Sequence, residues 1–192
     1  MTPDEVGHAI FQGRDATSLR NTDAKKGHSM QGQLLQLFLT GFAAVLVTAA
    51  QAQLLTNRDI SYSVAKTIAE TAIESCTAKG YRVSAVVVNR AGEVVVALRG
   101  DNASPHTMEN ARRKAYTALS FRTSTAEYAK RFAGDDPLVR QQVTLPNVIA
   151  IPGGLPIKVG DEVIGGAGVS GSPGVDEPCV QAGLDKVVDQ LK

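Results

Sequence analysis

From Leu55 onward the apolar positions fall into two rhythms. In LTNRDISYSVAKTIAETAIESCTAKGYR, Ile60, Val64, Ile68, Thr71/Ala72 and Cys76 recur at three- to four-residue spacing, as on one face of a helix. Thr56, with Asp59 three residues later, makes a weak acidic capping box, and Gly80 supplies a stop. The spacing predicts a helix over about 57–79. The rhythm then changes. Val83–Asn89 and Glu93–Arg99 are β-rich runs joined by Asn89-Arg90-Ala91-Gly92, which predicts an antiparallel hairpin with Gly92 at a positive φ. The near-continuous valines predict central strands covered by helices on both faces.

Helical spacing returns in SPHTMENARRKAYTALSF. Ser104 is placed to cap, Pro105 suits the first helical position, and Met108, Ala111, Ala115 and Ala118/Leu119 form an apolar stripe. A shorter helix is predicted over Ser124–Phe132, capped by Thr123 or Ser124. Three short strands come next at 147–151, 155–159 and 162–169, with turns at Pro152-Gly153-Gly154 and Gly160-Asp161. From about Asp176 a last amphipathic helix buries Val180, Leu184, Val187/Val188 and Leu191. The order α-β-β-α-α-β-β-β-α groups strands in blocks. It predicts an α/β domain of the α+β kind, with an antiparallel five-stranded sheet and helices packed on its faces.

The stretch before this domain has neither rhythm. Leu34 to Gln53 contains no charged residue, and it ends in Ala50-Gln51-Ala52, an A-x-A-type cleavage site, with Lys25 and Lys26 upstream. Residues 1–52 are therefore expected to be a leader with a secretory signal peptide, its apolar region at about 34–49 and cleavage after Ala52. Met30 is an alternative start. A retained anchor is the competing reading, against which stand Gln36, Thr40, Thr48 and Gln51 within the run. Cleavage leaves 53–192 as a single domain, periplasmic or secreted and without stable membrane insertion.

Charge and composition narrow the chemistry. Twenty basic and 19 acidic residues leave a formal charge of +1, so there is no basic field for a phosphate backbone and nucleic acid is not an expected partner. The leader carries Arg14, Arg20, Lys25 and Lys26 against Asp4, Glu5, Asp15 and Asp23, so the balance survives its removal. Gly166-Ala167-Gly168-Val169-Ser170-Gly171 fits G-x-G-x-x-G, but the chain beyond Gly171 reads as one helix, with no second parallel strand. NAD is excluded on that ground, and ATP because no Gly-Lys-Ser/Thr is present there. The domain holds one histidine, His106, and two distant cysteines, Cys76 and Cys179, so no His/Cys cluster has metal-ligand spacing. In an oxidising compartment the cysteines either pair or stay as buried thiols.

AVVVNRAGEVVVALRGDNASPHTMENARRKAYTALSF together with IPGGLPIKVGDEVIGGAGVSGSPGVDEPCVQAGL resembles the GlcG/HbpS-like family of haem-binding and haem-degrading-type domains, related to the C-terminal domain of PduO-type corrinoid adenosyltransferases. The resemblance spans nearly all of 54–192. It implies a profilin-like α/β domain in homo-oligomers, from dimers up to octamers, whose members bind haem, iron ions or corrinoids. This sequence departs from the family at two places. Arg99-Gly100-Asp101-Asn102-Ala103 stands where members often read Arg-x-Asp-Gly-Ala, and the first helix lacks the histidine that some relatives use for haem.

His106, just inside the second helix, is the only imidazole on offer for iron, with Glu109 one turn away as a second metal ligand. Tyr62, Tyr81, Met108, Tyr116 and Tyr128 are weaker candidates. Asp101 is expected to cluster with Arg99, or with Arg112 and Arg113. The amides beside Ser104 and Thr107, with Arg112 and Arg113, suit a carboxylate or haem propionate. The expected cofactor site therefore comprises His106, Arg99, Asp101, Thr107, Arg112, Arg113, Gly153 and Gly154, in a pocket between 101–113 and the glycine loops of 153–171. The expected function is an exported oligomer that binds haem or a small anion, as a haem or iron carrier or a sensor accessory. The alternative is an enzyme on a small oxidised metabolite, with His106 or Asp101 as acid/base.

Overall fold

The computed structural model describes residues 54–192; the leader, its apolar run and the cleavage site lie outside the described residues. Helix α1 (Tyr62–Thr77) leads into the hairpin β1 (Ser84–Asn89) and β2 (Val94–Arg99), then helices α2 (Pro105–Phe121), α3 (Thr125–Ala133) and α4 (Pro137–Gln142). A second hairpin, β3 (Gly154–Val159) and β4 (Glu162–Ser170), precedes α5 (Asp176–Lys186) and a 3-10 turn at Val188–Gln190. The described residues form one four-stranded sheet, ordered β2-β1-β4-β3 and antiparallel throughout.

Alternation along β1 explains the layers. Ala85 and Val87 enter the larger core with Ile68, Ala72 and Cys76 of α1 and Cys179 and Val180 of α5. Val86 and Val88 point the other way, onto Ala111 and Ala115 of α2. Helices therefore cover β1 on both faces, as the valine run predicts. The expectation does not hold for β2. It pairs only with β1, at the sheet edge, and leaves Val94 47% exposed.

The predicted strand at 147–151 is not formed, so the sheet has four strands and not five. The reason lies in who satisfies its backbone. Asn147 takes a left-handed φ of 71°. Arg113 donates to the Val148 carbonyl, and Ile149 N–H donates to Thr117 Oγ1 at 3.0 Å. Side chains of α2 thus replace a strand neighbour. The first helix is also shorter than 57–79. Its cap is Ser61, which accepts from Val64 N–H, and Asp59 instead accepts from Ile60 and Arg90 N–H groups, tying the entry segment to the hairpin turn. Ser124 is the cap of α3, as predicted. Helix α4 was not foreseen, although Asp136 capping before Pro137 is a start signal. Of the Val187/Val188 pair, Val187 is buried and Val188 exposed.

The glycines of the G-x-G-x-x-G stretch have a packing role. A Cβ on Gly166 would stand 2.2 Å from the Ala115 carbonyl oxygen, and one on Gly168 would stand 2.2 Å from that of Ala111. Helix α2 lies backbone-on-backbone against β4, with no room for a side chain between them. On the opposite face Cys76 and Cys179 form a buried disulfide joining α1 to α5 across 103 residues, which settles their open pairing.

Gly168→Ala is expected to destabilise the fold by about 1–3 kcal/mol, the cost of overpacking, read as a lower denaturant midpoint at unchanged slope. Reduction of the Cys76–Cys179 bond, or its removal by a Cys179→Ser exchange together with Cys76→Ser, should cost about 2–5 kcal/mol in the same measurement.

Candidate functional site

Helix α2 starts where the Arg99–Ser104 loop leaves the sheet edge, and its first turn is fastened to β1. Thr107 Oγ1 donates to the Ser104 carbonyl at 2.7 Å and meets Ser84 Oγ at 2.8 Å, both hydroxyls being buried. Ser104 occupies the cap position with extended backbone, but its hydroxyl makes no cap hydrogen bond. The first-turn amides of a 17-residue helix therefore have no side-chain cap.

Beside this turn is a cavity of about 460 Å³, walled by α2, by 151–152 and by the chain that runs from β4 into α5. His106, Asn110 and Lys114 line it at four-residue spacing, one stripe along α2. Ser170 and Asp176 also line it, and Arg82 borders both this cavity and the wider one lined by Arg99 and Asp101. Lys114 is 1% exposed. Its Nζ donates to the Val169 carbonyl at 3.0 Å and to Asp176 Oδ2 at 2.8 Å. Asp176 Oδ1 accepts both the N–H (2.9 Å) and the hydroxyl (2.7 Å) of Ser172. Ser172 Oγ in turn lies 3.1 Å from Cys76 Sγ, so the polar network reaches the disulfide. Burial pushes the Lys114 amine below the ordinary lysine value, and Asp176 partly opposes that shift.

The expected site residues divide. His106 and Thr107 line this cavity, and Gly153 packs against it: at φ 128°, a Cβ there would stand 2.8 Å from Lys114 Nζ. Gly154 sits under the Lys114 carbonyl, its N–H bonded to Thr125 Oγ1 at 2.8 Å. Arg99 and Asp101 line a different, wider cavity of about 810 Å³ with Tyr81 and Leu98. Arg99 clamps the Ala103 carbonyl. Among the described residues Asp101 forms no ion pair with Arg99, Arg112 or Arg113, so the expected charged cluster is absent. Its loop does turn at a left-handed Asn102, φ 59°.

Arg112 and Arg113 are spent on structure. Arg112 grips both oxygens of Glu109 at 2.8 and 2.7 Å and donates to Asn147 Oδ1 at 2.8 Å, holding the Glu109 carboxyl below the usual carboxylate range. Both Glu109 oxygens are bonded to Arg112, and among the described residues Glu109 makes no hydrogen bond to His106. Among the described residues no group of three or more His, Cys, Asp or Glu is placed to hold a metal. Of the weaker candidates, Tyr128 is fully buried, stacked on Phe121, while Met108 and Tyr116 are partly buried packing groups and Tyr62 is exposed. His106 is exposed at the cavity mouth, with no hydrogen-bond partner among the described residues.

Lys114, Asp176, Asn110, Ser170 and Arg82 were not singled out from the sequence. A polar residue every fourth position of α2, on a helix otherwise rich in alanine, was a readable signal for Asn110 and Lys114. Asp176, 62 residues further on, carried none.

Fold and cavity together define an α+β domain with a cation-lined polar pocket at the start of its central helix. The chain belongs to the HbpS-like family: residues 60–185 match the family model described as haem degrading protein HbpS-like. A double variant of Streptomyces reticuli HbpS is 33% identical, with a TM-score of 0.67, over 76% of this chain and 98% of that one. Klebsiella pneumoniae protein ORFY is 28% identical, with a TM-score of 0.64, over 69% of this chain and 93% of that one. A PduOC–heme complex shares the fold at 24% identity and a TM-score of 0.60, over 66% of this chain and 93% of that one. No curated protein matches the chain significantly. Among the described residues no helix is long and apolar enough to cross a membrane.

Lys114→Met and Asp176→Asn are each expected to cost about 3–5 kcal/mol by leaving a buried group unpaired, with the double variant losing less than the sum. Because burial lowers the folded-state pKa of Lys114, the unfolded chain holds that proton more tightly. Its contribution to stability should then rise with pH through the alkaline range up to about 10.4, the ordinary lysine value. Denaturation midpoints of wild type relative to Lys114→Met, followed across that range, would check the sign.

Proposed function

We propose that this protein is an exported, oligomeric ligand-binding protein that holds haem or a related small anion at the mouth of the α2 cavity, as a haem or iron carrier or a sensor accessory. The observation that carries the reading is the pairing of an exposed, unpartnered His106 with two cations, Lys114 and Arg82, around one opening. The donor set suits haem held by one edge. His106 would supply an imidazole nitrogen to the iron, and Arg82 and Lys114 would hold the propionates. Ile151, 42% exposed, and Pro152 and Pro173 give the macrocycle a short apolar rim. Bound haem would contribute an iron centre able to bind small ligands or exchange electrons.

Two further observations favour the wider reading. The buried disulfide suits an oxidising compartment, in agreement with the signal-like run before Gln53. Leu138 and Leu145, 61% and 51% exposed, leave apolar surface next to α4 of the kind that oligomers cover. The haem named for the PduOC relative supports the choice of ligand by kinship alone.

Hemin titrated into the purified protein should shift the Soret band to that of a ligated haem, saturably. His106→Ala should abolish the shift, and Arg82→Gln should weaken binding severalfold. No shift, or a shift unchanged in His106→Ala, would overturn the haem assignment, and a monomeric native mass would remove the oligomer.

A further inference from the structure

The cavity behind His106 has a surplus of donors. Lys114 Nζ uses two of its three protons, on Val169 and Asp176. Asp176, the one carboxylate lining the cavity, already accepts from Ser172 twice and from Lys114 once. Ser170 is 4% exposed and lines the cavity, yet its hydroxyl finds no partner among the described residues. The Asn110 amide and the Arg82 guanidinium are likewise without partners among the described residues. Among the described residues the one fully buried side-chain nitrogen or oxygen without a partner is Arg113 Nε, so the Ser170 hydroxyl is open to the cavity. An unpartnered hydroxyl facing a cavity that also holds an ammonium with a spare proton is an arrangement that an acceptor-rich ligand completes.

We infer that the inner half of this cavity is a binding site for a small monocarboxylate, held by Lys114 Nζ, Ser170 Oγ and Asn110, with Arg82 at its side. The site rests on the anion-binding reading of the cavity; it shares Lys114 and Arg82 with the proposed propionate contacts but does not require the iron ligand His106. A carboxylate is an acceptor-only group with two oxygens, enough for the ammonium and the hydroxyl together. Its single charge is also the charge the site can hold. The Asp176 oxygen bonded to Lys114 lies 2.8 Å from Nζ, so any anion on the third proton sits near a fixed negative charge. Attraction to the two cations and repulsion from Asp176 both grow in proportion to the ligand's charge. The cost of stripping water from the ligand grows about as the square of that charge, so a monoanion enters at lower cost than a phosphate dianion. The substituent of the acid would extend toward Ile151 and Pro152, with the Asn110 amide available to a neighbouring oxygen.

Isothermal titration of the purified protein with acetate, pyruvate, inorganic phosphate and acetamide tests this. Acetate or pyruvate should bind saturably, with pyruvate the tighter. Phosphate should bind at least tenfold more weakly, and the uncharged acetamide not at all. Ser170→Ala and Arg82→Gln, which leave the Lys114–Asp176 pair intact, should each weaken the carboxylate severalfold. No saturable carboxylate binding, binding indifferent to Ser170→Ala and Arg82→Gln, or phosphate bound as tightly as pyruvate would each overturn the assignment. Saturable carboxylate binding without any Soret shift on hemin addition would support this site while sinking the haem assignment. Hemin binding without any carboxylate binding sinks this one alone.

Discussion

The arrangement of the domain depends on how closely α2 approaches β4. Side chains normally hold a helix and a sheet apart, but here the carbonyls of Ala111 and Ala115 press on Gly168 and Gly166 where no Cβ fits. That contact fixes both the height and the direction of α2 over the sheet. It also decides where the stripe of His106, Asn110 and Lys114 goes. With the alanine face committed to the strands, the polar stripe runs along the flank of the helix toward the loops that leave β4. The pocket is in this sense a by-product of tight packing, and its depth is set by glycines that never touch a ligand.

Burying Lys114 there is expensive, because an ammonium out of water keeps little of its solvation. The fold offsets the cost with hydrogen bonds rather than with charge alone. Lys114 spans from α2 to a β4 carbonyl and to the first residue of α5, and Ser172 holds the carboxylate of Asp176 from the other side. Three elements, and the loop that joins two of them, therefore meet at one ion pair. The disulfide lies directly behind, so the position of α5, and with it Asp176, is restrained twice over. Such restraint favours a preorganised pocket over one shaped by its ligand.

Much of this was legible in the sequence because it is local. Hairpin turns at Gly92 and Gly160, the Ser124 cap, the alanine stripe of α2 and the alternation of β1 are all set by residues a few positions apart. The failures are where distant groups decide. Segment 147–151 has strand composition, but Arg113 and Thr117 claim its backbone from the neighbouring helix. Ser61 outcompetes Thr56 as the first cap because Asp59 is drawn to Arg90. The site divides in the same way. His106 and Thr107 were legible as helix-start residues beside glycine loops. Arg99 and Asp101 line the wider neighbouring cavity instead, and Arg112 and Arg113 are held by Glu109, Asn147 and the Val148 carbonyl.

The electrostatic logic of the cavity comes from that division. Had Arg112 and Arg113 lined it, the pocket would hold four cations and suit a polyanion. With Arg112 held by Glu109 and Arg113 turned to Val148, only Lys114 and Arg82 remain, and Asp176 offsets one of them. The result is close to a single uncompensated positive charge, inside walls that raise its effective strength. Such a site discriminates by charge number before it discriminates by shape. A monoanion neutralises the cavity, a dianion overcharges it beside Asp176, and a neutral molecule leaves the Lys114 proton and the Ser170 hydroxyl unanswered. The residues that were spent on structure elsewhere therefore determine the ligand class as firmly as those that line the pocket.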